Sequence, residues 1–211
     1  MKRRTLLTAP LIGAAAGVTG AIATAAPASA ATYKVSAVWQ GQQNGSWCGP
    51  AALRMAISVR TSSLPTQSAI ASRIGTTLSA GTNRFQMLNG INHWLGSHQL
   101  ANVESQGGLK ASVALREQYW RRLENNIANG FGVLTNVVVP RNSPYKPPGW
   151  TNDDPDPVDH WFMVYRVETT QRIVYIIDPA SERPKFNANR TYGMRFDHLC
   201  QLVNKAYLFR Y

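Results

Sequence analysis

The apolar residues of this chain keep a helical spacing as far as Gly130 and a strand pattern beyond it, and that change of period constrains the fold most. Ala52, Met55, Ala56 and Val59 mark one face of a helix expected from about residue 48 to 59. Pro65 opens a second helix that ends near Ile74, with Gly75 as its stop signal. Phe85, Leu88, Ile91 and Leu95 repeat the spacing in a third helix closed by Gly96, and Val113, Trp120, Leu123 and Ile127 in a fourth closed by Gly130. After Gly130, residues 133–139, 160–167 and 173–177 are short runs, rich in β-branched and aromatic side chains and bounded by turn residues, as strands are. Phe196, Leu199 and Val203 predict one more short helix, and residues 206–209 a last strand. Helices first and an antiparallel sheet afterwards is the α+β class, with the helical N-terminal part expected to pack on the sheet.

The first thirty residues stand apart from that fold because they read as an export signal. Lys2, Arg3 and Arg4 form a basic start, residues 6–26 are apolar, small and nearly uncharged, and Ala28-Ser29-Ala30 supplies an A-x-A cleavage site. A membrane anchor is the competing reading. Pro10, several glycines and the predominance of weakly hydrophobic alanine argue against it, so no permanent span is expected after cleavage. The paired arginines followed by Thr5, Leu6 and Leu7 resemble a twin-arginine signal, which implies folding before export, although ordinary secretory signals carry Arg-Arg as well. Cleavage after Ala30 would leave 181 of the 211 residues, enough for one domain, 31–211, expected to be secreted.

Three of the 22 basic residues and none of the 11 acidic ones fall in that leader, so the remainder carries a formal charge of about +8. The positive charges are scattered, with only Arg121 and Arg122 adjacent, and no recognisable nucleic-acid module accompanies them. They read first as a solvated surface; an anionic cell envelope or an acidic substrate are the partners such a surface would favour. In an exported chain Cys48 and Cys200 also admit a plain disulfide. Folding in the cytoplasm before twin-arginine export would work against that bridge.

A long segment, 140–157, holds Pro140, Pro144, Pro147, Pro148, Pro155 and Pro157 and cannot be a helix or a central strand. Loops of this length in compact domains are usually functional or disordered. This one ends just before His160, and is expected to form a flap beside a site.

The chemistry is concentrated in Gln42-Gln43-Asn44-Gly45-Ser46-Trp47-Cys48-Gly49-Pro50-Ala51-Ala52. A glycine-containing turn delivers Cys48 to a helix start, where unpaired N–H groups and the helix dipole favour a thiolate. Pro50 is tolerated there because the first turn has no use for its missing N–H. The backbone N–H of Cys48 can face a developing oxyanion, and the amide of a nearby glutamine would complete such a hole without adding a charge that competes with the thiolate. A thiolate also needs a neighbour able to return a proton to the leaving group. His93 and His98 lie around a helix end and His198 on the last helix, whereas His160 opens an apolar strand directly after the expected flap. If residues 160–167 and 172–178 form a hairpin through Thr169-Thr170, Asp178 lies beside His160 and can hold the imidazole by a hydrogen bond.

These residues together resemble the papain-like family-39 cysteine peptidases, best known from bacteriocin processing, and especially their secreted stand-alone relatives. The resemblance covers most of the chain after the leader, in order and spacing. The Gln-x5-Cys-Gly-Pro-Ala block is its specific part, whereas the strand from His160 to Val164 and Ile177-Asp178-Pro179 would be weak alone. It implies a papain-like fold, with Cys48 as nucleophile, His160 as general base and acid, Asp178 as orienter and Gln42 as oxyanion donor, with Gln43 as the alternative for that last role. The best-characterised relatives are domains of membrane transporters that cut leader peptides after a double glycine. No transporter is joined to this sequence, so a peptide or protein substrate is expected without that specificity.

Taken one at a time, His160 is a common strand-end residue, Asp178 a common turn residue and Gln42 ordinary polar loop. Their order around Cys48 is what raises them. No spacing of Cys48, His93, His98, His160, His198 and Cys200 matches a zinc pattern, so no metal and no cofactor is implied. Trp47, Trp94, Trp120, Trp150 and Trp161 read as core, with Trp47 and Trp150 flanking the expected cleft as candidates for substrate subsites. Two function classes remain: an exported thiol hydrolase acting on peptide or amide bonds, and a basic, non-catalytic binding module on the same fold with Cys48 bridged to Cys200.

Overall fold

The computed structural model describes residues 31–96, 99–101, 112–151 and 156–209, so the expected export segment and His98 lie outside the described residues. Among the described residues, four helices precede or flank the sheet: α1 (Cys48–Ser58), α2 (Gln67–Ile74), α3 (Arg84–Leu95) and α4 (Val113–Ala128). The strands are β1 (Thr32–Lys34), β2 (Gln99–Ala101), β3 (Val133–Val139), β4 (Val158–Glu168), β5 (Ile173–Ile177), β6 (Thr191–Arg195) and β7 (Val203–Phe209), with α5 (Phe196–Leu202) between the last two. The order across the sheet is β2-β7-β3-β4-β5-β6, antiparallel at every pairing, and β1 pairs with the far end of β4. The α+β expectation holds, and the hairpin through Thr169-Thr170 joins β4 to β5 with Met163 opposite Ile177. Arg172 in that hairpin forms a two-point ion pair with Glu117 of α4, at 2.5 and 2.6 Å, tying the turn to the helix beneath it.

The sheet divides the core in two, because successive side chains of a strand point to opposite faces. Leu134, Trp161, Met163 and Ile177 pack with α1, α2 and α3. Val133, Val137, Phe162, Val164, Val174 and Ile176 pack with Tyr119, Trp120 and Leu123 of α4 and with Phe196 and Leu199 of α5. The helical part therefore does not form one layer. Helices α1 to α3 cover one face of the sheet, and α4 covers the other.

Helix α1 is the central element, and it buries Cys48 to Leu53 and Met55 to Ile57, more than the single face expected. Its neighbours are bounded by their own chemistry. The Thr66 hydroxyl accepts from Ala69 N–H at the start of α2, and Gly75 closes that helix in the left-handed region. Asn83 and Gln86 form a capping box at the start of α3.

Helix α3 corrects one expectation. Its buried face is Met87, Gly90 and Ile91, while Phe85 stands 62% exposed. Gly90 decides this, since a Cβ there would come within 2.4 Å of Leu53 and 2.9 Å of Ile74. The backbone of α3 approaches α1 and α2 at that glycine, and no apolar count marks a residue with no side chain. Val113, expected on the buried face of α4, is likewise 72% exposed, because it occupies the first turn and Tyr119 takes the buried place.

Candidate active site

Cys48 is the first residue of α1 and is buried. The loop before it is held from both sides. Buried Gln67 of α2 donates to the Gly41 carbonyl at 2.7 Å and accepts from Gln43 N–H at 3.1 Å. Gln42 N–H donates to the Pro179 carbonyl at 2.8 Å, and the Gln42 carbonyl accepts from Arg183 at 3.3 Å, so the nucleophile loop is fastened to the segment that follows β5. Directly after Cys48, Gly49 packs so tightly on Thr82 that a Cβ would come within 2.3 Å of the Thr82 hydroxyl. A side chain at this position would displace the loop that carries Thr82, which also accepts a hydrogen bond from the Trp161 indole at 2.8 Å.

The Gln42 side chain folds back across the loop, with Nε2 donating to the carbonyls of Asn44 at 2.8 Å and Gly45 at 3.2 Å. Its Oε1 is buried without a partner. Gln43 points outward and is exposed. The two glutamines are thus separated by orientation: Gln42 lies inside the loop that leads to Cys48, and Gln43 does not.

His160 sits near the start of β4, opposite Val137, and is buried. Its Nε2 lies 2.8 Å from Asp178 Oδ1, which leaves Nδ1 as the nitrogen available to Cys48. Cys48 is near enough to this imidazole to act on its charge. Burial would pull the His160 pKa down, but the charge and hydrogen bond of Asp178, with a further contribution from Cys48, outweigh it and raise the value from 6.5 to about 10. Burial acts the other way on Asp178, and the charge of His160 with the hydrogen bonds from His160, Tyr192 and Ala180 holds its carboxyl below the usual range.

Asp178 directly follows β5 and is fully buried. Oδ1 accepts from His160 and from Ala180 N–H at 2.9 Å, and Oδ2 accepts from the Tyr192 hydroxyl at 2.7 Å. Its backbone is fixed as well, donating to the Arg190 carbonyl at 3.1 Å and accepting from the Trp39 indole at 2.8 Å.

The proline-rich segment connects β3 to β4 and docks on the loop after β5. Asn187 donates to the Pro148 carbonyl at 2.7 Å, and Thr151 N–H donates to the Lys185 carbonyl at 2.9 Å. This seats buried Trp150 edge-on against the His160 ring, with centroids 5.2 Å apart, and Phe186 lies 5.5 Å from the same ring. Residues 152–155 of the expected flap lie outside the described residues.

The other candidates are placed elsewhere. His93 is exposed on α3, and His198 lies on α5 facing Tyr145. Cys200 is free and fully buried among the α4 and α5 side chains, and burial pushes its thiol up to about 12. Cys48 is also free and lies in the other core cluster, across the sheet. Among the described residues no group of three or more His, Cys, Asp or Glu could hold a metal ion. No described helix is long and apolar enough to cross a membrane.

Sequence reasoning missed Trp39, Gln67, Phe186 and Tyr192. The alternation of Tyr192 and Met194 just before Phe196 is a short strand signal that would have placed Tyr192 inward. Trp39, Gln67 and Phe186 carry no local signal.

A family profile described as the Peptidase_C39 like family matches residues 33–201. The chain belongs to that family. The resemblance drawn from Gln42 to Ala52 and the two strands thus holds at the level of the Peptidase_C39-like family as a whole. The peptidase domain of Streptococcus ComA, a bi-functional ABC transporter involved in a quorum sensing pathway, is similar at 14% identity, over 85% of this chain and 99% of that one, with a TM-score of 0.48. A double glycine motif protease from an AMS/PCAT transporter, in complex with the leader peptide, is similar at 12% identity, over 85% of this chain and 95% of that one, with a TM-score of 0.50. At these identities the second likeness bears on the fold, which the two chains share along nearly their whole lengths. No curated protein matches the chain.

Proposed function

We propose that this Peptidase_C39-like chain is an exported cysteine peptidase or amidase, with Cys48 as nucleophile, His160 as acid and base, Asp178 as orienter and Gln42 as oxyanion donor. The observation that carries the reading is the buried His160, held by Asp178 through Nε2 and neighboured by Cys48. An imidazole raised to about 10 is protonated at neutral pH and holds the proton that the leaving group needs, with Cys48 acting as the thiolate. The Cys48 sulfur attacks the substrate carbonyl carbon, and the carbonyl electrons move to oxygen. The oxyanion is met by Cys48 N–H and by Gln42 Nε2, which exchanges its longer contact with the Gly45 carbonyl for it. Collapse breaks the C–N bond as His160 passes its proton to the departing amine. Neutral His160 then takes a proton from water, which attacks the thioester and returns the sulfur as leaving group. The double glycine motif protease, which is in complex with a leader peptide, is consistent with a peptide substrate here, without its sequence specificity.

The export part of the reading rests on the basic start, apolar stretch and Ala28-Ser29-Ala30 of the first thirty residues. Ala31 N–H donates to the Thr169 hydroxyl at 3.0 Å and the Ala31 carbonyl accepts from Thr169 N–H at 2.9 Å, and cleavage after Ala30 would leave both bonds in place.

One experiment tests both parts of the reading. Intact-mass and peptide mapping of the exported protein after brief treatment with iodoacetamide near neutral pH should show a chain beginning at Ala31 with one label, on Cys48. The thiol of Cys200 should stay unlabelled until the fold is opened, since burial keeps it protonated. Equal labelling of both thiols, or none without a reductant, would remove the catalytic reading in favour of a binding module.

The glutamines give a second expected result. Gln42→Ala should lower kcat by roughly one to three powers of ten, the range for one lost oxyanion donor, with little change in KM. Gln43→Ala should be nearly silent, since its side chain faces solvent. Steady-state kinetics decides it. A silent Gln42 variant with a damaged Gln43 variant moves the role by one residue, and two silent variants remove glutamine from the mechanism.

A further inference from the structure

We propose that Tyr192 is a positioning residue of this site, its hydroxyl setting the rotation of the Asp178 carboxylate and, through it, the plane of the His160 ring. The inference rests on the hydrolase reading above and adds to it a fifth side chain, which neither the sequence pattern nor the family resemblance supplied.

The geometry of the carboxylate carries it. His160 and the Ala180 N–H both meet Oδ1, so these two bonds share one oxygen and leave the other to fix rotation about the bond to the carboxyl carbon. Oδ2 is met by the Tyr192 hydroxyl at 2.7 Å, and both residues are buried. The tyrosine is itself a firm anchor. It lies in β6 directly opposite Ile176, two residues before Asp178, and its ring belongs to the same core cluster as Phe162 and Trp150. Movement of the ring relative to Asp178 would therefore break sheet pairing and core packing together.

Tyr192 is also a donor that does not switch off. Burial, and then the adjacent Asp178 charge, push its hydroxyl well above the ordinary tyrosine value, so it remains protonated while Asp178 is ionised. The groups that face Asp178 are His160 from β4, with Cys48 of α1 behind it, Tyr192 from β6, and the Ala180 N–H from the following loop. Three charged side chains of that loop are engaged elsewhere: Arg190 pairs with Glu182 at 2.7 Å, and Arg183 reaches the Gln42 carbonyl.

A hydroxyl that only satisfied a buried oxygen would contribute to stability and leave the chemistry alone. Tyr192→Phe separates the two roles because it keeps the ring. The rate of Cys48 alkylation by iodoacetamide should fall about tenfold in this variant, kcat should fall by a similar factor at unchanged KM, and the Asp178 carboxyl should titrate about one to two pH units higher by carbon NMR, the size of one hydrogen bond to a charged group. In an Asp178→Asn background the same change should add nothing, since its route runs through the carboxylate. A Tyr192→Phe variant with wild-type alkylation rate, kcat and Asp178 titration overturns the proposal, as does an undiminished effect in the Asp178→Asn background.

Alkylation needs no substrate, so the two readings fail separately. A protein that cleaves no amide bond, yet shows the shifted alkylation and titration, loses the hydrolase reading and keeps the Tyr192 linkage. If Tyr192→Phe does not fold, the wild-type hydroxyl proton decides. It should exchange slowly and shift as Asp178 is protonated, and fast exchange without such a shift overturns the proposal.

Discussion

Cys48→Ala should abolish hydrolysis, lowering kcat by about a millionfold, the order seen when a covalent nucleophile is deleted. The change removes one sulfur atom from the first turn of α1, where Cys48 belongs to the same buried cluster as Ala52 and Trp161, and leaves intact the backbone contacts that place the helix start. Thermal unfolding should therefore remain close to wild type, which keeps the result chemical and not structural. His160→Ala should be comparably inactive, because the same side chain supplies both proton transfers. The pair together should do no more than either alone, since the two groups act as one unit. Kinetics on a substrate that the parent cleaves is the measurement. Full activity in the Cys48 variant would sink the nucleophile assignment.

The second large effect belongs to Asp178, and it should appear in stability as well as rate. Asp178→Ala leaves a buried imidazole with no anion at Nε2 and orphans the Tyr192 hydroxyl and the Ala180 N–H. Breaking a buried pair from one side costs about 3–5 kcal/mol. The rate should fall by about 10²–10⁴, with residual turnover, because Asp178 orients the base and does not react.

The pH dependence follows from the directions of the two shifts. His160 is raised from 6.5 to about 10, so its contribution to stability is complete below pH 6.5 and is lost as pH rises through about 10. Asp178 is lowered from 3.8, so its contribution is present above pH 3.8 and is lost as pH falls through its folded value. The stability gap between wild type and Asp178→Ala should therefore be widest between about pH 4 and 6.5 and narrow beyond about pH 10. Denaturant unfolding across pH checks this. A gap that grows toward alkaline pH would show that the pair is not held as an ion pair.

Much of the architecture was legible without coordinates. The strands at 133–139 and 173–177 have the bounds expected of them, and the starts and stops of α1 to α4 fall within a few residues of Cys48, Pro65, Gly75, Gly96 and Gly130. These features depend on caps, turn residues and apolar period, all of which act between residues a few positions apart. The placement of Cys48 at a helix start and of Asp178 at a strand end follows from the same local rules.

What packs against what was decided by the tertiary structure alone. Gly90 turned α3 away from the face its apolar residues mark, because the close approach of two backbones selects for a missing side chain. Helix α4 went to the far face of the sheet, since an amphipathic stripe specifies burial and not which apolar surface covers it. The surroundings of the His160–Asp178 pair came from Trp39, Trp150, Phe186 and Tyr192, which are brought in by three different loops and one strand. Apart from the brief alternation around Tyr192, neighbours in sequence carry no trace of such contacts, because the energy that fixes them arises only once the sheet has closed and the polar groups have left water.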